Sequence, residues 1–272
     1  MSENPEELLA LAASVASTAG RLLASWRTQG RPEVASTKSS DTDVVTEMDR
    51  QSELLIAERV RAVRPDDAIL GEEGGQTGSD ARVRWVVDPL DGTVNYLYGL
   101  PEWAVSIGVE VDGVIVAGVV EVPELDMVFT ATAGGGAWLS RGGQAAVRQH
   151  CNDPVPLDHA LVGTGFGYTA GRREVQGAVV GALLPRVRDI RRRGSAAVDL
   201  CMVAAGRVDA FYERGLNYWD YAAGGLIARE AGAVVGGLSG RPESTSMVVA
   251  AGPGLYPRLA DFLSGLDPEQ DA

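Results

Sequence analysis

Cysteine and histidine are scarce in this 272-residue chain, two of each. Cys151 and Cys201 are too few for a disulfide framework and lack metal-site spacing. Both read as reduced thiols, Cys201 within a helix core. His150 and His159 bracket a loop-like stretch and form neither HExxH nor another zinc pattern. Positive charge is also in deficit: 24 Lys and Arg stand against 37 Asp and Glu, a formal net charge of −13. That balance disfavours nonspecific binding to nucleic acid or to an anionic membrane, so neither is expected as a partner. The longest uncharged N-terminal run, Leu8 to Gly20, is too short to span a bilayer and is broken by Ser and Thr. Glu6 and Glu7 precede it, where a signal peptide carries basic residues. The expectation is a soluble, unprocessed, cytoplasmic protein whose first helix buries this run.

Hydrophobic residues make up 45% of the chain and charged residues 22%, which is globular rather than disordered. Residues 5–28 read as a helix, with Pro5 in its first turn and Gly30-Arg31-Pro32 as its stop. A polar loop or hairpin follows over 33–45. Thr46 and Asp49 fit an N-cap and its acidic partner for a helix carrying Ile56, Val60 and Val63, ended by Pro65. Ala68-Ile69-Leu70 is a short strand, followed by a polar Gly-rich loop to about residue 82. Residues 84–89 form a strand stopped at Pro89. Asp112-Gly113 is a hairpin turn inside 103–121, and two more strands cover 127–132 and 136–139. The first half is therefore helices plus an antiparallel sheet. The second alternates: strand 160–164, helix 172–186, strand 189–193, helix 195–206, strand 208–212, helix 219–231, strand 233–236. That rhythm suggests α/β layering. A Gly, Gln, Asn and Pro-rich stretch divides them, giving an N-terminal half over 1–145 with the candidate metal site and a C-terminal half over 146–272 completing the pocket. There is no internal repeat.

The sharpest chemical feature is Asp88-Pro89-Leu90-Asp91-Gly92-Thr93. A strand delivers Asp88 to the sheet's end, and the turn brings Asp91 beside it. Two close carboxylates repel and raise each other's pKa; a divalent cation removes that penalty. The carbonyl of Leu90 is a further hard oxygen donor. The N–H groups of Gly92 and Thr93 suit a phosphate oxygen at a turn or helix start. Glu72 and Glu73 also end an apolar strand, among glycines, and equally read as a solvated loop. Asp220 opens a helix, where it also reads as a plain N-cap.

Together these segments resemble the inositol monophosphatase family: Gly71-Glu72-Glu73, then Asp88-Pro89-Leu90-Asp91-Gly92-Thr93-Val94-Asn95, then Gly194-Ser195-Ala196-Ala197, then Trp219-Asp220-Tyr221-Ala222-Ala223-Gly224. Order and spacing agree over roughly residues 5–260. The resemblance implies an α+β / α/β fold, the layered αβαβα sandwich of the inositol monophosphatase / fructose-1,6-bisphosphatase type. It implies Mg²⁺-dependent hydrolysis of a small phosphate monoester, foremost myo-inositol 1-phosphate, by in-line attack of metal-activated water. Glu72, Asp88 and the Leu90 carbonyl would hold a first Mg²⁺; Asp88, Asp91 and Asp220 a second; a weaker third would lie near Glu72. Glu72 and Thr93 would position the water, with Asp49 behind Thr93, although Asp49 also has its capping role. Lys38 matches the family's mobile-loop lysine and otherwise reads as an ordinary exposed lysine. Asp91, Gly92, Thr93, Gly194, Ser195, Ala196, Glu213 and Asp220 would contact substrate, with Thr164-Gly165-Phe166 bordering the pocket. A homodimer and inhibition by Li⁺ are implied as well.

Two departures are mild. Leu90 stands where isoleucine is common, and Arg193 where the family often has an apolar residue. Histidinol-phosphate phosphatase is the nearest alternative. A non-catalytic regulatory binding protein on the same scaffold is another, for which the run Arg188, Arg191, Arg192 and Arg193 is a candidate partner surface. The same arginines also read as a strand face pairing with nearby acids or with a dimer mate.

Overall fold

The computed structural model describes residues 3–28, 34–37, 44–78 and 81–270. Helix α1 (Pro5–Arg27) is capped by Asn4, whose side chain accepts from the Glu6 N–H at 3.1 Å. A small antiparallel hairpin, β1 (Val34–Thr37) and β2 (Val44–Thr46), leads into α2 (Glu47–Val63). Then come β3 (Ala68–Gly71), β4 (Gly75–Thr77), β5 (Val83–Asp91) and the short helix α3 (Thr93–Tyr98). A meander follows: β6 (Ala104–Val111), β7 (Val114–Val122), β8 (Met127–Thr132), β9 (Gly136–Arg141) and β10 (Val147–Arg148). The rest of the chain contributes β11 (Leu161–Thr164), α4 (Ala170–Leu183), β12 (Asp189–Arg191), α5 (Ala196–Ala204), β13 (Ala210–Glu213), α6 (Tyr218–Glu230), β14 (Val234–Gly236), β15 (Val248–Ala251) and α7 (Tyr256–Ser264).

An eight-stranded sheet runs in the order β10-β9-β8-β7-β6-β5-β3-β4, and a five-stranded sheet in the order β12-β11-β13-β15-β14. Helices α1 and α2 cover one face of the larger sheet. Helices α5 and α6 fill the space between the two sheets, and α4 and α7 cover the far face of the smaller one. The result is the expected αβαβα layering. Strand β6 is covered on both sides, so seven of its eight residues are buried without alternation. Helix α6 lies unusually close to the sheet at Gly108 and Gly118. A Cβ on Gly118 would stand 3.1 Å from the Ala223 Cα, so the approach requires glycine.

The structure corrects several local expectations. Strand β5 runs through Pro89 to Asp91 instead of stopping, because its pairing with β6 is irregular between Asp88 and Asp91, where a missing N–H breaks no regular ladder. The first sheet is not wholly antiparallel, since β3 and β5 pair in parallel. Strand β4 occupies part of the expected loop, and the closing pair β15 and α7 carried no clear signal. The Asp112-Gly113 turn has positive φ at both residues, 52° and 84°, as a type I′ hairpin demands. Helix α1 is long and apolar enough to span a membrane by length and composition, because its apolar pattern continues past Gly20 to Leu23 and Trp26. Here its apolar face, from Leu8 to Leu23, is buried on the sheet.

One buried acid sits in this layer outside the candidate site. Burial raises the Glu121 carboxyl to about 7, and the Arg21 charge only partly offsets it. A raised carboxyl favours folding while protonated, so its contribution is full below about 4.5 and is lost as pH rises through about 7. Discounted for solvent screening, the loss is on the order of 2 kcal/mol. Wild-type Tm is therefore expected to fall by several degrees more than that of Glu121→Gln between pH 5 and pH 8. Parallel Tm profiles would count against this burial penalty.

Candidate active site

Strand β3 ends at Gly71 and presents Glu72. The turn after it is fastened by Glu53 of α2, whose carboxylate accepts from the N–H of Glu73 at 2.8 Å and of Gly74 at 2.6 Å. A Cβ on Gly71 would lie 2.5 Å from the Glu53 carboxyl carbon, so the glycine makes room for this clasp. Glu53 carries no motif of its own and was not anticipated.

Strand β5 supplies Asp88, Leu90 and Asp91. Asp88 Oδ1 accepts from the Leu90 N–H at 3.0 Å, and buried Ser52 of α2 donates to the Pro89 carbonyl at 2.9 Å. Gly92 then turns the chain with φ of 93° and caps α3. A Cβ there would meet the carbonyl oxygens of Glu102 at 3.0 Å and Gly194 at 3.2 Å. Thr93 Oγ1 lies 2.9 Å from Asp49 Oδ1 and 3.2 Å from the Leu90 carbonyl; its single proton serves one of them at a time. Asp49 is fully buried, which puts its carboxylate behind Thr93; the side chain of Thr46, its expected capping partner, lies outside the described residues. Lys38 also lies outside them.

Elements far along the chain close the site. Asn95 Nδ2 donates to the carbonyls of Glu102 at 2.5 Å and Arg193 at 2.7 Å, stapling the Gly194 turn to α3. Ser195 caps α5 and donates to Asp91 Oδ2 at 2.6 Å; the Ala197 N–H donates to the same oxygen at 2.7 Å. The α5 N-terminus thus grips Asp91, where open N–H groups facing a ligand were expected. Helix α6 begins at Tyr218 with a capping box. Asn217 is the N-cap and Asp220, two residues into the helix, accepts from the Asn217 N–H at 2.7 Å. Asp220 therefore both braces the helix start and faces the pocket.

Glu72, Asp88, Leu90, Asp91, Thr93 and Asp220 all line one cavity of about 360 Å³. Gly92, Gly194, Ala196 and Glu213 line it too, with Gly165 and Phe166; Thr164 sits outside its wall. Sequence reading missed Arg172, Arg192, Arg214 and Asn217, which also line it. Arg172 lies in an ordinary polar helix turn with no local signal. Arg192 was visible only as one member of the basic run. The other members turn to local partners: Arg188 to the His159 carbonyl, Arg191 to Asp189, Arg193 to Asp199.

The electrostatics are those of acids forced together. Burial, then the charges of Glu72, Asp91 and Asp220, push the Asp88 carboxyl well above its ordinary range. Burial and the charges of Glu72 and Asp91 do the same to Asp220. Asp91 rises only to about 6, because burial is opposed by Ser195 and the α5 N–H groups. Burial and Asp199 lift Glu213 to about 8, against the Arg192 charge. Among the described residues, no three acidic, histidine or cysteine side chains converge tightly enough to hold one ion as they stand. The donor set nevertheless fits a hard divalent cation: it is all oxygen and shared by one cavity, with Asp88 buried and Glu72, Asp91 and Asp220 half-buried.

Fold and site together define a layered α+β protein with a carboxylate-walled cavity fed by both of its sheets. Residues 4–264 match the inositol monophosphatase family. The chain is 49% identical over 247 residues to the inositol-1-monophosphatase SuhB of Mycobacterium tuberculosis H37Rv, covering 86% of this chain and 83% of that protein. It is 42% identical over 236 residues to the Nus factor SuhB of Escherichia coli K12, covering 86% of each. The solved structure of Mycobacterium tuberculosis SuhB superposes with a TM-score of 0.83 at 42% identity, covering 99% of this chain and 100% of that one. The chain belongs to the inositol monophosphatase family.

Proposed function

We propose that this chain hydrolyses the phosphate monoester of a small polyol, myo-inositol 1-phosphate foremost, with Mg²⁺ as cofactor. One observation carries the reading: Glu72, Asp88, Asp91 and Asp220, from three separate parts of the chain, line a single cavity with Leu90 and Thr93, and Asp49 stands behind Thr93. Glu72, Asp88, Asp91, Asp220 and the Leu90 carbonyl would hold Mg²⁺. Bound there, the cations supply Lewis-acid stabilisation of phosphoryl oxygens and make water a stronger nucleophile at neutral pH.

The chain's own residues do the rest. Thr93, while donating to Asp49, keeps oxygen lone pairs that accept from the attacking water, so a proton moves from water toward the buried Asp49. Glu72, which lines the same cavity, orients that water together with Thr93. Asp220, ionised when it holds a cation, orients a water that returns a proton to the leaving oxygen. Ser195 and Ala197 hold Asp91 in place throughout. Glu213 accepts from a hydroxyl of the leaving polyol.

Arginines at the pocket edge disfavour the cationic alcohol of histidinol phosphate. A homodimer and Li⁺ inhibition belong to the same proposal as family expectations. The regulatory reading, raised by the basic run, agrees with the name Nus factor of the Escherichia coli relative and has no separate support in the site. Chelated protein is expected to release no phosphate, and Mg²⁺ to restore release from inositol 1-phosphate at least tenfold faster than from histidinol phosphate (a margin of about 1.4 kcal/mol). Phosphate release assayed without any partner protein tests this; a faster rate on histidinol phosphate would reverse the substrate assignment.

A further inference from the structure

The cavity has cationic lining that takes no part in the proposed chemical step. Arg172, in the first turn of α4, lines it and makes no hydrogen bond or ion pair among the described residues. Its Nε is buried without a partner. The contrast with its neighbours is sharp. Arg173 donates to the Gly167 carbonyl at 2.6 Å, and Arg191 and Arg193 pair with Asp189 and Asp199. Among the described residues no acidic side chain pairs with Arg172.

Its position is built. The Arg172 side chain lies over two glycines: a Cβ on Gly167 would stand 2.7 Å from its Cδ, and one on Gly215 2.5 Å from its Nη1. The Gly167 turn is itself held by α4, through the Gln176 side chain on its N–H at 2.9 Å and Arg173 on its carbonyl. Arg192 feels Asp91, Asp199 and Glu213, and so belongs to the carboxylate side. Arg172 is not among the charges that chiefly shift those acids. An Arg guanidinium is always charged and offers a planar fork of donors matched to carboxylate or phosphate oxygens.

We propose that Arg172 forms a second anion subsite in this cavity, and that among acyclic polyol phosphate monoesters those bearing another anionic group remote from the scissile ester are preferred. The inference rests on the phosphatase reading above and adds the class of its substrate. The phosphoryl group goes to the carboxylates, and the second anion to the Arg172 fork.

The test compares two esters that differ at one carbon, gluconate 6-phosphate and glucitol 6-phosphate, with hexitol 1,6-bisphosphate as the phosphate counterpart of the carboxylate. A charge-assisted hydrogen-bonded pair predicts a kcat/KM ratio of acid to neutral ester of about 10 to 100 in the wild type. Arg172→Gln is expected to bring that ratio to within about twofold of one, and Arg172→Lys to keep part of it. Gly167→Ala, which retains Arg172 but crowds its Cδ, should lower the ratio as well and stands in if Arg172→Gln folds poorly. The carboxylate and bisphosphate arms tell which anion the fork prefers, and a preference for either supports the subsite. A wild-type ratio near one on both arms overturns the proposal, as does an unchanged ratio in Arg172→Gln. Hydrolysis of glucitol 6-phosphate with no such preference defeats the subsite alone. Failure to hydrolyse any of these esters with Mg²⁺ while inositol 1-phosphate is hydrolysed overturns the subsite; failure on inositol 1-phosphate as well defeats the phosphatase reading and the subsite with it.

Discussion

Replacing Asp88 by Asn is expected to cut Mg²⁺-dependent phosphate release by at least about 10²–10³-fold in kcat while the protein stays folded. The scale comes from losing one preorganised electrostatic partner of a transition state, about 2.7–4 kcal/mol. Asp88 should exceed it, because its carboxylate stands where two ions would share a ligand. The fold should survive because the side chain is nearly isosteric and its charge is a burden in the metal-free protein. Asp88 is 2% exposed and faces the charges of Glu72, Asp91 and Asp220. Its folded-state carboxyl is raised, so its ionised form opposes folding at neutral pH. Tm of the chelated variant at pH 7.5 is accordingly expected to equal or exceed that of the chelated wild type. Turnover within a few-fold of wild type would remove the carboxylate cluster from the chemistry.

Thr93→Val is expected to lower kcat by about 10²–10⁴-fold with KM little changed, and Thr93→Ser to restore most of the rate. Valine keeps the shape at the start of α3 but removes the oxygen between Asp49 and the reacting water. The bond it deletes, 2.9 Å to Asp49, leaves a fully buried carboxylate short of a donor, which costs about 1–3 kcal/mol of stability. A rate loss in Thr93→Val that Ser fails to rescue would mean the threonine acts through packing. A Tm loss with normal kcat would take the hydroxyl out of the proton path altogether.

Much of this site was legible because its parts are local signals. Asp88 through Thr93 combine a buried apolar strand, a proline and an Asp-Gly turn, and the fold uses the strand and the turn where expected. The Asp112-Gly113 hairpin and the glycine-flanked Glu72 followed the same logic. Legibility failed where a residue's meaning depends on what folds against it. Glu53 is an ordinary helix acid until Glu73 and Gly74 arrive at its carboxylate. Arg172 is an ordinary helix base until Gly167 and Gly215 pass beneath it. Pro89 misled because its effect on a strand depends on the partner's register, which no local pattern encodes.

By itself the sequence determined the strands, helices and turns that carry acidic residues, and through ordered motifs the family to which they belong. These are short-range properties, set by side-chain periodicity, backbone freedom at glycine and capping chemistry within a few residues. Only the tertiary structure decided that Ser195 and Ala197 hold Asp91 across 104 and 106 positions, and that one arginine of a basic run faces the cavity while its neighbours pair elsewhere. Burial and Coulomb interaction act through space. The charge state of each acid therefore follows from which layers close over it, and that is settled when the two sheets pack around α5 and α6.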